Sequence, residues 1–296
     1  MTSKHIPFVR RDSSGRPLAG QARAALVTAH PGHELCLFGW LKQARPRVFI
    51  LTDGSGDDGE PRLRSTTELL TRTGAHQGTI YGRLTEAQVY RAMLGGDSCF
   101  FVSLAVDLAE SFARERFDYV ACEAVEGYNP THDVCQLVTM AALARSNRRG
   151  DHHTVGYEFA LIKRGRSRHD APRRDSVWLR LDDAALGEKI KAMRAHPHLR
   201  DEVSAGLDGT AMAALRDHPE LAAEAQRLVD EMGPEAFRVE HLRRIERGGA
   251  ATTSETPFYE RYGEALVRRG RYAQVIRYSE HLASIAEGLR RFAEGE

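Results

Sequence analysis

Short apolar segments alternate with amphipathic segments through the first half of the chain. Residues 24–29, 47–52 and 117–121 are mainly apolar runs, each followed by polar residues with glycine or proline. Runs of this length that end at turn residues are typical of buried strands. Residues 34–44 and 100–117 instead place apolar side chains at helical spacing, and residues 79–81 predict a short strand between them. The alternation predicts an α/β fold, a Rossmann-like and mostly parallel sheet flanked by helices.

The second half of the chain extends this pattern. Residues 159–162 and 177–181 predict two further strands, and residues 237–245 predict a terminal strand. Residues 183–195 and 219–232 place their apolar side chains on one helical face. We therefore expect the sheet to continue beyond residue 150, with helices packed against it.

Composition changes suggest three regions. Residues 1–20 are polar and predict an N-terminal arm, residues 21–249 form the α/β domain, and residues 250–296 form a helical C-terminal extension. The extension carries an apolar seam at three- and four-residue spacing: Val275, Tyr278, Leu282, Ile285, Leu289 and Phe292. The seam predicts burial against the chain's own domain, and a homo-oligomer contact through the C-terminal helix is the alternative.

Composition and charge exclude several classes of protein. The 296 residues include 42 basic and 41 acidic side chains, a balance that argues against nucleic-acid binding driven by phosphate contacts. The sequence has no stretch of 18 apolar residues and no apolar N-terminal signal, so we expect no membrane segment. Four scattered cysteines predict reduced thiols and a cytoplasmic protein.

The first cluster of candidate site residues follows the first predicted strand. His30, His33 and Glu34 lie in a turn that contains Pro31 and Gly32. The carboxyl end of a parallel strand is where open α/β sheets build their sites. Both imidazoles could reach one cation across this turn. The alternative is a surface turn with solvated imidazoles.

A second cluster follows the strand at residues 117–121. It contains Glu123, Tyr128, Asn129 and Asp133, with His132 in the first turn of the next helix. Imidazoles and carboxylates at two strand ends are the arrangement that a mononuclear metal site needs. Asp53 follows the strand at residues 47–52, and we expect it to face the same pocket.

The two clusters resemble motifs of the GlcNAc-phosphatidylinositol and mycothiol-precursor deacetylases, the PIG-L or LmbE-like zinc hydrolases. That family's Ala-His-Pro-Asp-Asp-Glu motif corresponds to residues 29–34, and its His-Pro-Asp-His loop corresponds to residues 129–132. Its late Lys-Ala-His helix is similar to residues 189–196, which makes His196 a candidate pocket residue. The resemblance covers about residues 20–245 and implies Zn²⁺ held by His30, His33 and His132.

The sequence departs from the family's pattern at three positions. His33 stands where the family has an aspartate ligand, and imidazole binds zinc equally well. Gly32 stands where the family has its general-base aspartate, and Asn129 replaces a histidine that stabilises the transition state. The resemblance therefore implies that the metal is retained and that the proton relay is altered.

Another carboxylate must then accept the proton from water. The candidates, in order of preference, are Glu34 or Asp53 and then Asp133 or Glu123. Tyr128 and Asn129 are the candidate hydrogen-bond donors to an oxyanion.

The resemblance implies a zinc hydrolase that removes an acyl group from an N-acylated amino sugar or a related small metabolite. A second hypothesis keeps a divalent metal such as Fe²⁺ and changes the reaction to elimination, isomerisation or iron chemistry. A third is a non-catalytic protein that binds a metabolite. The basic loop at residues 163–174 is either a solvated loop or an anion contact.

Overall fold

The computed structural model describes residues 22–56, 59–161, 176–196, 199, 237–246 and 256–296. The predicted arm, the basic loop and the predicted helix at 219–232 lie outside these ranges.

Seven described strands form one sheet in the order β3-β2-β1-β4-β5-β7-β6. The strands are β1 (Ala24–Thr28), β2 (Arg47–Thr52), β3 (His76–Leu84), β4 (Tyr119–Glu123), β5 (Val155–Phe159), β6 (Val177–Arg180) and β7 (Val239–Arg244). The first five are parallel, and β7 pairs antiparallel with both β5 and β6. The predicted α/β fold with a mostly parallel sheet is confirmed.

Eight α-helices connect and cover the strands in the described part of the chain. They are α1 (Phe38–Ala44), α2 (Leu63–Thr73), α3 (Glu86–Leu94), α4 (Ser98–Glu115), α5 (Pro130–Arg149), α6 (Asp183–Ala195), α7 (Phe258–Arg268) and α8 (Ala283–Glu294). A 3-10 turn at His33–Leu37 precedes α1, and a π-helical turn at Tyr278–Leu282 precedes α8.

Two strand predictions are wrong in their bounds. The strand predicted at residues 159–162 is β5 at Val155–Phe159, because parallel pairing with β4 matches Tyr119 to Val155 and Glu123 to Phe159. The strand predicted at residues 79–81 is the middle of the longer β3, which pairs with β2 through two register shifts. In both cases pairing with a neighbouring strand, and not local composition, decides where the strand lies.

The sheet is buried on both faces. In β1, Ala25 and Val27 point into one apolar cluster, while Ala24 and Leu26 point into the other. Part of the C-terminal seam belongs to the first cluster, because Leu282, Ile285 and Leu289 pack with side chains of α4 and α5, whereas Tyr278 is 42% exposed. The C-terminal helix therefore covers the same core as the α/β domain. None of the described helices combines the length and the apolar composition that a membrane span requires.

A buried ion pair ties α1, α6 and β7 together beside the sheet. Lys189 Nζ lies 2.8 Å from Glu240 Oε1 and donates to the Cys36 carbonyl at 2.7 Å. Glu240 also accepts hydrogen bonds from the backbone N–H groups of Gly39 and Trp40, at 2.9 and 2.8 Å. Removing one partner of such a pair costs about 3–5 kcal/mol, because the other charge stays buried. The pair thus fixes the helix that follows the first histidine cluster.

Candidate metal centre

The two histidine clusters meet where the strand order reverses. From β1 the chain runs outward to β2 and β3, then returns to place β4 on the other side of β1. The carboxyl ends of β1 and β4 are therefore adjacent, and His30 and His33 follow one strand while His132 follows the other. Open α/β sheets bind ligands in the crevice at this switch point.

Three imidazoles lie against one another in this crevice. The ring centroids are 5.2 Å apart for His30 and His33, 5.1 Å for His30 and His132, and 4.7 Å for His33 and His132. No two of these rings are parallel, with interplanar angles between 68° and 90°. Among the described residues, the potential ligand atoms that lie within 4.8 Å of one another belong to His33, His132 and Glu123, and those of His30 lie outside this group.

Two of these rings are each hydrogen-bonded through Nδ1 to a different carboxylate. Glu86 Oε1 hydrogen-bonds His30 Nδ1, and the Thr52 hydroxyl lies 2.6 Å from the same carboxylate oxygen. Glu123 Oε1 lies 2.7 Å from His33 Nδ1 and 2.9 Å from the backbone N–H of Ala29. Carboxylates commonly orient metal-binding histidines in this way and leave the Nε2 atom for the metal.

The sequence reasoning missed Glu86. It is the first residue of α3, whose N-cap Thr85 forms a capping box with Gln88. This places Glu86 just beyond the carboxyl end of β3, at the same edge of the sheet as the histidines. The position of an acidic residue after a predicted strand was the signal that could have identified it.

Glu123 combines complete burial with an unsatisfied oxygen. The residue is 0% exposed, and its Oε2 atom has no hydrogen-bond partner in the part of the chain that the structure describes. Potential ligand atoms of His33, Glu123 and His132 lie within 4.8 Å of one another. Burial raises the pKa of Glu123 to about 8, against a smaller lowering by the charge of His30. A buried carboxylate oxygen without a donor is costly unless a cation or a proton satisfies it.

The imidazoles differ in their protonation. Burial lowers the pKa of His132 well below 6.5, and the neighbouring His33 and His30 lower it further. His132 is therefore neutral near pH 7, the form that binds metals. Burial also lowers the pKa of His30, but the hydrogen bond and charge of Glu86 outweigh it and the net shift is upward.

Three of the predicted catalytic carboxylates accept hydrogen bonds from groups in nearby turns or helices. Glu34 accepts from the Gly32 N–H at 2.7 Å and from the Thr66 hydroxyl at 2.8 Å, and burial raises its pKa to about 7. Asp53 Oδ1 accepts from the Ser55 N–H at 2.9 Å. Asp133 Oδ1 accepts from the N–H groups of residues 126 and 127, at 3.1 and 3.2 Å. Each of these carboxylates shapes a turn beside the crevice.

The predicted oxyanion donors lie in the loop before α5. Asn129 is the N-cap of this helix, and its Oδ1 accepts from the Thr131 N–H at 2.8 Å. The Asn129 side chain is thereby oriented, with its NH₂ group still able to donate. The Tyr90 hydroxyl, whose pKa is raised by burial, lies close to Asn129. Tyr128 stacks on Phe258 of α7, with ring centroids 5.1 Å apart and planes inclined by 7°.

The imidazole of His196 covers Gly32. Gly32 has a φ of +103°, and a Cβ built there would lie 2.9 Å from His196 Cε1 and 3.0 Å from its Nε2. His196 is 2% exposed, so its ring fills the space that a side chain at position 32 would need. The residue that the sequence suggested as a pocket residue thus lies against the turn between His30 and His33. Both the backbone angle and this contact require glycine at position 32.

No protein-family model matches the sequence, and no curated protein is significantly similar to it. Solved structures with a similar fold include the A40926 pseudoaglycone deacetylase Dbv21, with 19% identity, a TM-score of 0.49, and coverage of 78% of this chain and 99% of that one. The conserved protein TT1542 from Thermus thermophilus has 15% identity, a TM-score of 0.44, and coverage of 79% and 98%. A triple mutant of the deacetylase Orf2*, from teicoplanin biosynthesis, has 12% identity, a TM-score of 0.43, and coverage of 77% and 100%. At these identities and TM-scores the similarity bears on neither substrate nor reaction.

Proposed function

We propose that this chain is a zinc-dependent hydrolase that removes an acyl group from an N-acylated amino sugar or a related small metabolite. The observation that carries the proposal is the group of three mutually adjacent imidazoles, His30, His33 and His132, at the switch point of the sheet. A histidine that is buried only for packing is usually a single residue. Packing alone does not explain three adjacent imidazoles from two distant segments, two of which are oriented by buried carboxylates.

The residues present fit a divalent metal. The three adjacent imidazoles would supply nitrogen ligands, with ligand atoms of His33 and His132 within 4.8 Å of each other and the ring of His30 beside them. Glu86 and Glu123 hydrogen-bond to Nδ1 of His30 and His33, and Glu123 Oε2 is a buried oxygen that has no donor among the described residues. Zn²⁺ bound there would supply a Lewis acid and lower the pKa of a bound water towards neutrality.

The chain's own groups provide a proton acceptor and an oxyanion donor. Among the carboxylates near the histidines, Glu34, Asp53 and Asp133 each bind a backbone N–H of a turn. Glu123 Oε1 likewise accepts from the Ala29 N–H and bonds to His33 Nδ1, but its Oε2 atom is buried and unsatisfied among the described residues. A divalent ion beside Glu123 would favour its ionised form against the effect of burial. We therefore assign proton transfer to Glu123 in place of the preferred candidates from the sequence. The NH₂ group of Asn129, oriented by the bond from the Thr131 N–H, is the donor to the oxyanion of the substrate.

A second candidate function has its own supporting observation. His33, Glu123 and His132 together form a group of two histidines and one carboxylate within 4.8 Å. This donor set is typical of non-haem iron(II) sites. If Glu123 is itself a ligand, the site suits a non-hydrolytic reaction such as an elimination or iron chemistry. Iron in place of zinc after purification without added metal would favour this function.

The test combines elemental analysis with a substrate panel. The purified protein is analysed for zinc and iron, then incubated with N-acetylated amino sugars and other N-acyl amines while acyl release is measured. We expect bound zinc and release of the acyl group. The double variant His30→Ala/His132→Ala should lose both, whereas His76→Ala, which changes an exposed histidine at the start of β3, should keep both. Wild-type metal content and activity in the double variant would refute the proposal.

A further inference from the structure

The loop that leads to His132 is held from two sides. It runs from the end of β4 to the start of α5 and includes Glu126, Gly127 and Tyr128. On its inner side, Asp133 accepts hydrogen bonds from the N–H groups of Glu126 and Gly127, and Glu126 Oε2 accepts from the Leu161 N–H at 2.7 Å. The outer side of the same loop faces the C-terminal segment.

The start of α7 contacts this loop through the backbone. The Tyr259 N–H donates to the Gly127 carbonyl at 3.2 Å. Gly127 has a φ of +66°, and a Cβ built on it would lie 3.4 Å from the Pro257 Cβ atom. Loop and helix are thus in van der Waals contact at a position whose backbone angle favours glycine. The contact joins segments that are about 130 residues apart in sequence.

An aromatic row reinforces the same contact. Tyr128 of the loop stacks on Phe258, and Phe258 stacks on Tyr262 one turn later, with centroids 5.9 Å apart and planes inclined by 10°. The Arg261 guanidinium lies 5.9 Å from the centre of the Phe258 ring. Phe258 is therefore the central ring of a row that begins in the loop, directly before Asn129, and ends on the outer helix.

The neighbouring Tyr259 ties the contact to the residue after His132. Its side chain is 6% exposed and belongs to the apolar cluster that also contains the C-terminal seam. Its backbone N–H donates to the carbonyl of Gly127, whose own N–H donates to Asp133 Oδ1. A shift of α7 would therefore be transmitted to Tyr128 through the stack and to Asp133 through Gly127. These two residues flank Asn129 and His132.

We propose that the start of α7, residues 257–262, is a positioning element of the metal centre that holds the Asn129–His132 loop in place through the stack of Phe258 on Tyr128. The proposal rests on the proposed metal centre and adds that metal affinity depends on the C-terminal segment. Phe258 acts through the loop and touches no reacting group. Outer contacts that orient metal ligands typically alter metal affinity by about 10–100-fold when they are lost.

The test measures Co²⁺ binding to the full-length protein. The Kd is determined by competition with a chelator, and the visible absorption of bound Co²⁺ reports the geometry of its ligands. Phe258→Ala should raise the Kd about tenfold and change the Co²⁺ spectrum, while Phe258→Tyr keeps the stacked ring and should restore both. The matched control is Phe292→Ala, because Phe292, like Phe258, is a half-buried ring of the C-terminal segment, but it packs on the apolar core and against Arg145 of α5.

A second variant on the loop keeps the test decisive if Phe258→Ala folds poorly. Tyr128→Leu removes the other ring of the stack and should raise the Kd by the same factor, with no further increase when Phe258→Leu is added. Wild-type Kd and spectrum in Phe258→Ala or in Tyr128→Leu would overturn the positioning role, as would an equal effect of Phe292→Ala. A wild-type protein that binds no Co²⁺ would instead overturn the metal centre itself.

Discussion

Replacing the two carboxylates that hold His33 and His30 separates their roles. Glu123→Gln retains an oxygen that can accept from the Ala29 N–H and from His33 Nδ1. It removes the negative charge and places an NH₂ group where the buried Oε2 atom has no partner among the described residues. Glu86→Gln makes the same chemical change at the carboxylate that holds His30. The pair is therefore a matched comparison.

The expected magnitudes follow from what each carboxylate contacts. Loss of a carboxylate that orients a metal-binding histidine costs about 10–100-fold in metal affinity, which is about 1.4–2.8 kcal/mol at ~1.4 kcal/mol per factor of ten. We expect this loss in both variants. Only Glu123 is assigned proton transfer, which contributes a further factor of ~10² to 10⁴. At saturating metal, Glu86→Gln should therefore keep kcat within a few-fold of wild type, while Glu123→Gln should lose at least about 100-fold.

The assay measures metal affinity and turnover separately. Chelator competition gives the Kd for zinc, and initial rates of acyl release are measured at saturating zinc. A kcat for Glu123→Gln close to that of wild type would refute the assignment of proton transfer to Glu123. A Kd for Glu86→Gln equal to that of wild type would refute its role in orienting His30.

Two further predictions concern stability. Burial raises the pKa of Glu34 to about 7 and that of Glu123 to about 8, so the folded metal-free protein binds protons that the unfolded chain has lost. Its free energy of unfolding should therefore fall as pH rises from about 6.5 to 8.5, and it should fall less steeply in Glu34→Gln. Chemical denaturation at a series of pH values measures this, and a flat or rising profile would contradict it. Gly32→Ala should lower the free energy of unfolding by at least about 1 kcal/mol, because it combines a positive φ with a Cβ 2.9 Å from the His196 ring. The control Gly187→Ala, in the open interior of α6, should raise it by about 0.4–1 kcal/mol, and equal effects of the two substitutions would refute this account.

The sequence alone determined the elements with a strong local pattern. The buried strands β1, β2 and β4 and the long helix α4 lie close to where hydrophobic periodicity predicts them. The alternation of strands and helices also predicted the parallel sheet. The residues at which a strand begins and ends also depend on pairing with the neighbouring strand. The prediction for β5 was therefore displaced by several residues.

The same pattern located the histidines but not their surroundings. His30, His33 and His132 each follow a predicted strand, so their adjacency at one edge of the sheet could be expected from the fold. The carboxylates that hold them come from distant segments: Glu86 is 56 residues from His30, and Glu123 is 90 residues from His33. The sequence offered Glu123 as a candidate and carried a signal for Glu86, but local periodicity does not say which histidine each carboxylate contacts.

Only the tertiary structure decided three features of the site. It placed the ring of His196 over Gly32, the aromatic residues of α7 against the loop before His132, and the C-terminal seam on α4 and α5. The physical reason is that periodicity records which face of an element is buried. Which surface covers this face depends on how all the elements pack, and only distances and burial in the folded chain reveal that surface.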